Sequence, residues 1–340
     1  MTASTILAVF VAFGIALVGT GLMRQYALRG NLIDVPNLRS SHAAPTPRAG
    51  GVAIVTAFFC SLVLVAYLGL INVRVLSALI IGGGTMALIG FIDDRWQLRA
   101  SIRFSVHLAA ALGVVFLLGG IPDSALARWG LHGLWVGSLI AVLVLVWTTN
   151  LFNFMDGIDG IAGSEAVFVS GAGALLNWYQ GGAPGLTAAM LCLAAAGLGF
   201  LRWNWPPARI FMGDVGSGFL GFTLAVLGLV ANQLGRIPLE AWGILGGFFL
   251  VDATITLLRR VVRGDQWFEA HRMHAYQQLA RRWRAHRPVT LTVCIINVSW
   301  LLPWAWLAAR TPANSKYFLI AALAPLTVFV ILAGAGRKES

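Results

Sequence analysis

The feature that most constrains this chain is the repetition of long apolar stretches, each of about 20 residues and separated from the next by a polar segment. The chain is 58% hydrophobic and 11% charged, and a water-soluble domain of 340 residues could not bury that much apolar surface. Backbone polar groups need internal partners within a bilayer, so these stretches are predicted to be helical. We therefore predict an all-α integral membrane protein, a polytopic bundle of about eleven transmembrane helices. The predicted spans are about 4–23, 50–71, 74–92, 104–120, 134–152, 162–179, 185–202, 216–234, 239–258, 289–309 and 316–336.

The positive charges are distributed unevenly between the two sides of this predicted bundle. When successive loops alternate, only Arg74, Arg128, Arg236, Arg310 and Lys316 of the 24 Lys and Arg residues fall on one side. Cytoplasmic loops carry an excess of Lys and Arg, so we predict an N-terminus outside and a cytoplasmic C-terminus. The net charge of +11 then reflects topology and contact with anionic membrane lipids, and we expect no nucleic-acid partner.

Polar residues collect in a few segments and do not form a separate soluble domain. No shift in composition and no internal repeat divides the chain, so we predict a single transmembrane domain over residues 1–340. Five segments face the cytoplasm in the predicted topology, and the unusual chemistry is expected there. These segments lie near 24–49, 93–103, 150–163, 202–217 and 259–288.

The segment NLFNFMDGIDG directly follows the apolar run of the fifth predicted span. Asn150, Asn153, Asp156 and Asp159 recur every three residues and would form one drifting polar row if the helix continued through them. Polar side chains at membrane depth are costly and usually face a cavity or a partner. Amide and carboxylate oxygens suit Mg²⁺ or Mn²⁺ better than Zn²⁺. The structural alternative is a helix-ending turn held by hydrogen bonds from the side chains to the backbone.

Two further acidic motifs lie at the ends of predicted spans. Asp93 and Asp94 close the third span, where they offer a base or a metal anchor, or simply pair with the arginines that follow. Asp214, within RIFMGDVGSG, precedes the eighth span. There the helix N-terminus could present backbone N–H groups to a phosphate while the carboxylate holds a cation. The alternative is an ordinary N-cap with turn glycines.

The largest polar loop, RRVVRGDQWFEAHRMHAYQQLARRWRAHRP, is strongly basic. Its arginines favour an anion such as a diphosphate, and His271 and His274, three residues apart, are predicted to bind substrate. Arg281, Arg282 and Arg284 are instead predicted to form a basic stripe that lies on anionic headgroups.

Three other basic or titratable residues lie near or within predicted spans. The segment SSHAAPTPRAGG brings His42 and Arg48 to the start of the second span, or is simply a loop braced by proline. His107, inside the fourth span, is predicted to make an ordinary hydrogen-bonded helix contact and not to bind a ligand.

Together and in this order, PTPRAGG, the Asp pair after the third span, NLFNFMDGIDG, FMGDVGSG and HRMH resemble the motifs of the polyprenyl-phosphate N-acetylhexosamine-1-phosphate transferase superfamily. The resemblance implies a multi-pass enzyme of the bacterial inner membrane with a cytoplasmic active site. Such an enzyme transfers a sugar 1-phosphate from a UDP-sugar to undecaprenyl phosphate and releases UMP, with Mg²⁺, or Mn²⁺ as the alternative, as its cofactor. The product would initiate lipid-linked O-antigen or a related cell-envelope polysaccharide.

The resemblance also implies roles for individual residues. The metal would be held by Asp214 and Asn153. Catalytic roles near the nucleotide, the metal and the attacking lipid phosphate fall to Asp93, Asp94, Asp156 and Asp159. Substrate contacts fall to Asn150, Asn153, His271, His274, Arg48 and Arg209. Direct attack of the lipid phosphate on the β-phosphorus is the hypothesis, with a covalent aspartyl-phosphate on Asp93 or Asp94 as the alternative.

The donor sugar and the oligomeric state stay open at this stage. Enzymes of the superfamily that use UDP-GlcNAc often carry an H-x-H-H pattern, whereas Met273 occupies the third position here. The segment AHRMHAYQQL is more similar to the O-antigen-initiating branch, which accepts FucNAc or QuiNAc donors, so the resemblance leaves GlcNAc, FucNAc and QuiNAc as candidates. A dimer is one candidate assembly.

A polytopic transporter or lipid flippase is the alternative from another class of protein. It would use acidic residues deep in the bilayer to couple the movement of an ion. The sequence places little there except Asp252, near the inner end of the ninth predicted span.

Overall fold

The computed structural model describes residues 3–36, 44–234, 236–265 and 271–337, and the chain is helical through most of them. His42 lies outside the described residues. The helices are α1 (Ala3–Arg29), α2 (Gly51–Tyr67), α3 (Val73–Trp96), α4 (Ala100–Leu118), α5 (Leu134–Met155), α6 (Ile161–Tyr179), α7 (Pro184–Asn204), α8 (Asp214–Gln233), α9 (Leu239–Leu245), α10 (Gly247–Val262), α11 (Ala275–Trp283), α12 (His286–Arg310) and α13 (Ser315–Ala333).

Shorter elements connect or interrupt these helices. A four-residue helix at Asp123–Leu126 and 3₁₀ turns at Ala127–Trp129 and Pro312–Asn314 lie between spans, and π-helical turns interrupt α3 at Ala78–Gly82 and α12 at Asn297–Leu301. Two short strands, β1 (Ile33–Asp34) and β2 (Thr46–Pro47), pair antiparallel between α1 and α2.

The polytopic all-α membrane architecture predicted from the apolar stretches is confirmed. Among the described residues, eight helices are long and apolar enough to cross a membrane, and α9 with α10 adds a ninth if a pair bent by 81° counts as one span. Helix α2 is apolar but has only 17 residues. Helix α6 is less apolar because it carries the buried Glu165 and Asn177. The number of eleven spans and their orientation stay predictions.

Helix α8 lies at the centre of the bundle. Its apolar stretch is 94% buried, compared with 22% for α1 at the periphery. Helix α8 packs most extensively against α3 and α5 and also contacts α2. Residues at the N-terminus of α8 are therefore enclosed by the ends of several other helices.

Candidate active site

The segment before α2 is bonded to the segment before α8. The backbone N–H groups of Gly50 and Gly51 donate to the carbonyls of Phe211 and Met212, at 2.9 and 2.8 Å. A Cβ at Gly51 would collide with the Cα of Gly216, so this contact requires glycine. The sequence motifs PTPRAGG and FMGDVGSG therefore meet at one end of the bundle.

Asp94 caps the N-terminus of α8. Its Oδ1 accepts from the backbone N–H of Asp214 at 3.1 Å, and its Oδ2 accepts from that of Val215 at 3.2 Å. Gly213 has φ +76°, and a Cβ there would lie 2.5 Å from Asp94 Oδ2. A carboxylate at a helix N-terminus is favourable because it meets unpaired N–H groups and the positive end of the helix dipole. The expectation that these N–H groups are available to a phosphate is wrong, since Asp94 occupies the first two.

Arg103 bridges the carboxylates of Asp93 and Asp214. Arg103 Nη1 donates to Asp93 Oδ2 at 2.6 Å and lies 3.3 Å from Asp214 Oδ2. Asp93 Oδ1 accepts from the backbone N–H of Leu98 at 2.6 Å. Neighbouring carboxylates repel each other, so this end of the bundle needs positive charge, and Arg103 supplies part of it. Pairing of the Asp motif with the arginines that follow it was one of the two alternatives from the sequence, and Arg103 makes that pair with Asp93. The contact of Arg103 with Asp214 was not predicted, because only the fold brings these two residues together.

A cavity of about 40 Å³, here called the acidic cavity, lies among α3, α4, α5 and α8. Its polar lining residues are Asp93, Arg103, His107, Thr149, Asn150, Asn153 and Asp214. The amide nitrogen of Asn153 donates to Ser217 Oγ at 3.2 Å and that of Asn150 donates to the Val146 carbonyl at 2.7 Å. The amide oxygens are therefore the atoms that these two side chains can offer to a ligand in the cavity.

The predicted helical row is interrupted after its second member. Helix α5 ends at Met155, so Asn150 and Asn153 are helical, whereas Asp156 is the C-cap residue. Asp159 lies in the turn before α6, where Gly160 has φ +75°. The prediction of one continuous row on a helix was wrong, because the glycines of MDGIDG favour a turn.

Asp156 lies close to the other acidic residues of the site. Burial, and then the charges of Asp214, Asp94 and Asp159, raise the pKa of Asp156 well above its ordinary range. Asp214, Asp94 and Asp159 therefore create a region of negative potential at Asp156, which favours its neutral form.

A second, larger pocket of about 700 Å³ is called the basic pocket. Its charged lining residues are Asp159, Arg272, Arg281, Arg284, His286 and Arg287. Asp159 Oδ2 accepts from the backbone N–H of Ala208 at 3.0 Å, and its Oδ1 lies 3.1 Å from His286 Nδ1. A pocket of this size with several guanidinium groups suits an anionic small molecule. Arg281 and Arg284, predicted from the sequence to form a stripe on the headgroups, line this pocket instead, whereas Arg209 is exposed.

Residues 271–274, here called the histidine loop, and the start of α11 pack against the end of α5 and the turn that follows it. The rings of His271 and His274 have centroids 4.9 Å apart, although both residues precede α11 and are not helical. Tyr276 Oη donates to the Phe154 carbonyl at 3.0 Å. Asp252 accepts from the backbone N–H groups of Ala275 and Tyr276, at 2.8 and 3.0 Å, and so caps α11. Sequence reasoning missed the capping role of Asp252, because its partners lie more than 20 residues away.

Arg48 lies on another side of Asp94. It lines a third pocket, of about 400 Å³, together with Asp94, Arg95 and Trp96. Asp94 is thus next to both Arg48 and the start of α8. Seven of the predicted site residues line one of these three pockets, whereas Asp156, His271, His274 and Arg209 line none of them.

The partial burial of His271 is expected to make the stability of the protein depend on pH. Burial, then His274 and Arg260, lower the pKa of His271 to about 3, so His271 stays neutral at neutral pH. The unfolded chain gains this proton near pH 6.5, roughly, and the folded chain does not. Stability is therefore expected to fall as the pH drops below about 6.5. His271→Gln should lose less thermal stability between about pH 7 and pH 5 than the wild type, measured as the unfolding midpoint in detergent. An identical pH dependence in the two proteins would contradict this.

The acidic cavity has the chemistry of a magnesium site. Within the described ranges, no three His, Cys, Asp or Glu side chains converge as a closed metal cage. The cavity instead offers two carboxylates, Asp93 and Asp214, and two amides, Asn150 and Asn153, all with hard oxygen atoms. Mg²⁺ usually keeps several waters and binds through one or two carboxylates plus substrate phosphates, and Mn²⁺ accepts similar ligands. These residues fit the predicted ion, and the roles of Asp214 and Asn153 as ligands stay predictions.

The chain is similar to a known protein family and to individual bacterial proteins. A family model described as Glycosyl transferase family 4 matches residues 76–232, which contain Asp93, Asn153 and Asp214. A probable undecaprenyl-phosphate N-acetylglucosaminyl 1-phosphate transferase of Bacillus subtilis (strain 168) is 28% identical over 299 residues, covering 86% of this chain and 82% of the relative. A decaprenyl-phosphate N-acetylglucosaminephosphotransferase of Mycobacterium tuberculosis (strain H37Rv) is 31% identical over 333 residues, covering 88% of this chain and 79% of the relative. The protein of the same description from Mycobacterium leprae is 30% identical, with coverages of 88% and 80%.

Proposed function

The chain belongs to the polyprenyl-phosphate N-acetylhexosamine-1-phosphate transferase superfamily, and on this basis we propose its reaction. It transfers N-acetylhexosamine 1-phosphate from a UDP-sugar to undecaprenyl phosphate, with Mg²⁺, and releases UMP. The reaction takes place at the cytoplasmic face of the bacterial inner membrane and initiates O-antigen or a related envelope polysaccharide.

The observation that carries this proposal is the pairing of a basic pocket with an acidic cavity at one end of a membrane bundle. The two share no lining residue within the described parts of the chain. The turn that contains Asp156 and Asp159 connects α5, which lines the acidic cavity, to the basic pocket. A soluble, anionic UDP-sugar suits the basic pocket, while a phosphate carried by a membrane lipid suits a cavity between helix ends.

The residues contribute mainly by holding and neutralising charge. Guanidinium groups of the basic pocket bind the donor diphosphate, and Arg103 holds Asp93 and Asp214 in place. A divalent cation bound by Asp214 and Asn153 would offset the negative charge of the reacting phosphates. An oxygen of the lipid phosphate forms a bond to the β-phosphorus of the donor, and the bond from that phosphorus to the bridging oxygen breaks, leaving UMP.

Direct attack is favoured over a covalent aspartyl-phosphate. Both oxygens of Asp94 accept backbone hydrogen bonds, and both oxygens of Asp93 are bonded to Arg103 and Leu98. Neither carboxylate is therefore poised as a nucleophile. A phosphate monoester has a second pKa of about 6 and is largely dianionic near neutral pH, so the lipid phosphate needs little help from a base.

The transporter alternative receives no support from the buried acids. Asp252 is fully buried, but its carboxylate caps α11. Glu165, also fully buried in α6, accepts from the Asn297 amide at 2.6 Å. Both oxygens of Asp252 and one oxygen of Glu165 thus have local hydrogen-bond partners, while Glu165 Oε1 has none among the described residues.

We propose UDP-GlcNAc as the first donor to test, because the similar curated proteins are described as N-acetylglucosamine transferases. Met273, which departs from the histidine pattern, places its sulfur 3.4 Å from Arg263 Nη2. Because Met273 replaces a histidine of that pattern, UDP-FucNAc and UDP-QuiNAc stay as competing donors.

The proposed activity predicts that the purified protein releases UMP from at least one of these three donors when undecaprenyl phosphate and Mg²⁺ are present. Release should stop when the acceptor is omitted or when EDTA removes the cation, and Mn²⁺ should restore part of it. The measurement is UMP by chromatography, with the lipid product identified by mass spectrometry. A folded sample that forms no UMP from any donor would overturn the proposal.

A further inference from the structure

His107 lies in the acidic cavity and has an unsatisfied ring nitrogen. It follows Arg103 by four residues on α4, so both side chains lie on the same face of that helix. His107 Nδ1 is buried and has no hydrogen-bond partner among the described residues. A buried polar group without a partner is costly, above all inside a membrane span, and the expected helix contact is therefore not made. The cavity that His107 lines is the natural place for its missing partner.

The position of His107 indicates which substrate that partner belongs to. Helix α4 begins at the active-site end, so His107 lies about 6 Å deeper along the helix axis than Arg103. Beside His107, the cavity wall includes the apolar side chains of Met86, Ile89 and Phe154. A ligand group at this depth, among apolar side chains within a span, reaches the site on a membrane-embedded molecule.

We propose that His107 binds the phosphate of the lipid acceptor, by a hydrogen bond from its imidazole to a non-bridging phosphate oxygen. The ligand class is a phosphate monoester on an apolar chain, and this assignment rests on the function proposed above. Such a phosphate carries several acceptor oxygens and needs donors, and neutral histidine can donate from Nδ1. Arg103, at the shallower end of the same helix face, supplies the positive charge.

The test compares two substitutions of similar size. His107→Leu removes the polar group, whereas His107→Asn keeps an amide close to the position of Nδ1. Binding of farnesyl phosphate, farnesol and inorganic phosphate to the purified protein is measured by calorimetry in detergent, alongside steady-state kinetics. Unfolding midpoints show that each variant is folded.

His107→Leu is expected to weaken farnesyl phosphate binding about tenfold or more, the usual value of a hydrogen bond to a charged group. It should leave the weaker binding of farnesol unchanged. The KM for undecaprenyl phosphate should rise by a similar factor while the KM for the UDP-sugar stays constant, and His107→Asn should recover most of the loss.

Three outcomes would overturn the assignment. The first is unchanged farnesyl phosphate affinity in His107→Leu, and the second is equal damage in both variants. The third is inorganic phosphate binding as tightly as farnesyl phosphate, which would assign the cavity to free phosphate. Wild-type protein that binds farnesyl phosphate through His107 but releases no UMP would refute the proposed reaction and leave the lipid-phosphate assignment in place.

Discussion

Asp214→Asn is expected to reduce turnover by about 100- to 1,000-fold, the usual cost of removing one preorganised electrostatic group from an active site. The amide has nearly the same shape, and the backbone N–H of residue 214 still donates to Asp94, so the start of α8 is preserved. The charge is lost, however, and with it the ion pair to Arg103 and the strongest candidate ligand for the cation. The KM for the donor should change much less than kcat, measured by UMP release at saturating Mg²⁺.

Asp123→Asn is the matched control for this substitution. Asp123 lies between α4 and α5, at the end of those helices opposite the acidic cavity, where its carboxylate accepts from the backbone N–H of Gly133 at 2.9 Å. The same chemical change there should leave turnover within about twofold of wild type, as is usual for surface substitutions. Turnover in Asp214→Asn above one-tenth of the control would exclude Asp214 from the reaction.

Two acids that the sequence offered for chemistry or ion coupling also hold helices in place. Asp94 caps α8 and Asp252 caps α11, each through two backbone N–H groups. These caps fix the start of the helix that carries Asp214 and the start of the helix that follows His274. A buried carboxylate is stable in such a place because the helix terminus supplies both hydrogen bonds and positive potential.

Sequence alone predicts the membrane architecture and the end of the bundle that carries the site. The apolar stretches identify helices, and alternation along the chain brings Asp94, Asn153 and Asp214 to the same end. The 81° bend between α9 and α10 and the end of α5 at Met155 depend on local backbone geometry that periodicity does not reveal.

The sequence also could not predict that the site residues divide between the acidic cavity and the basic pocket. Asp159 resembles Asp156 in its motif, yet its carboxylate bonds to Ala208, 49 residues away, and lines the basic pocket. Similarly, Arg103 and Asp214 are 111 residues apart. Such long-range contacts follow from helix packing, and helix packing depends on which positions allow close approach.

Gly90 is one such position, and it carries the second large prediction. A Cβ at Gly90 on α3 would lie 2.6 Å from the backbone nitrogen of Val215 and would also collide with the carbonyl of Asp214. These are backbone atoms at the start of α8, and they cannot move aside as a flexible side chain would. Helix α3 can therefore approach α8 closely enough for Asp94 to cap it only because residue 90 has no side chain.

Gly90→Ala is therefore expected to separate the ends of α3 and α8, at a cost of about 1–3 kcal/mol in stability, and to misplace Asp94 against its two N–H partners. A displacement of about 1 Å in a phosphoryl-transfer site can reduce turnover about 100-fold. Gly84→Ala, on the same helix, is the control, because a Cβ there would lie 4.0 Å from its nearest neighbour, Phe59. Alanine is the better helix former, so Gly84→Ala should keep full activity and an equal or higher unfolding midpoint. If Gly90→Ala matched Gly84→Ala in both UMP release and unfolding midpoint, the close contact between α3 and α8 could not be what aligns the site.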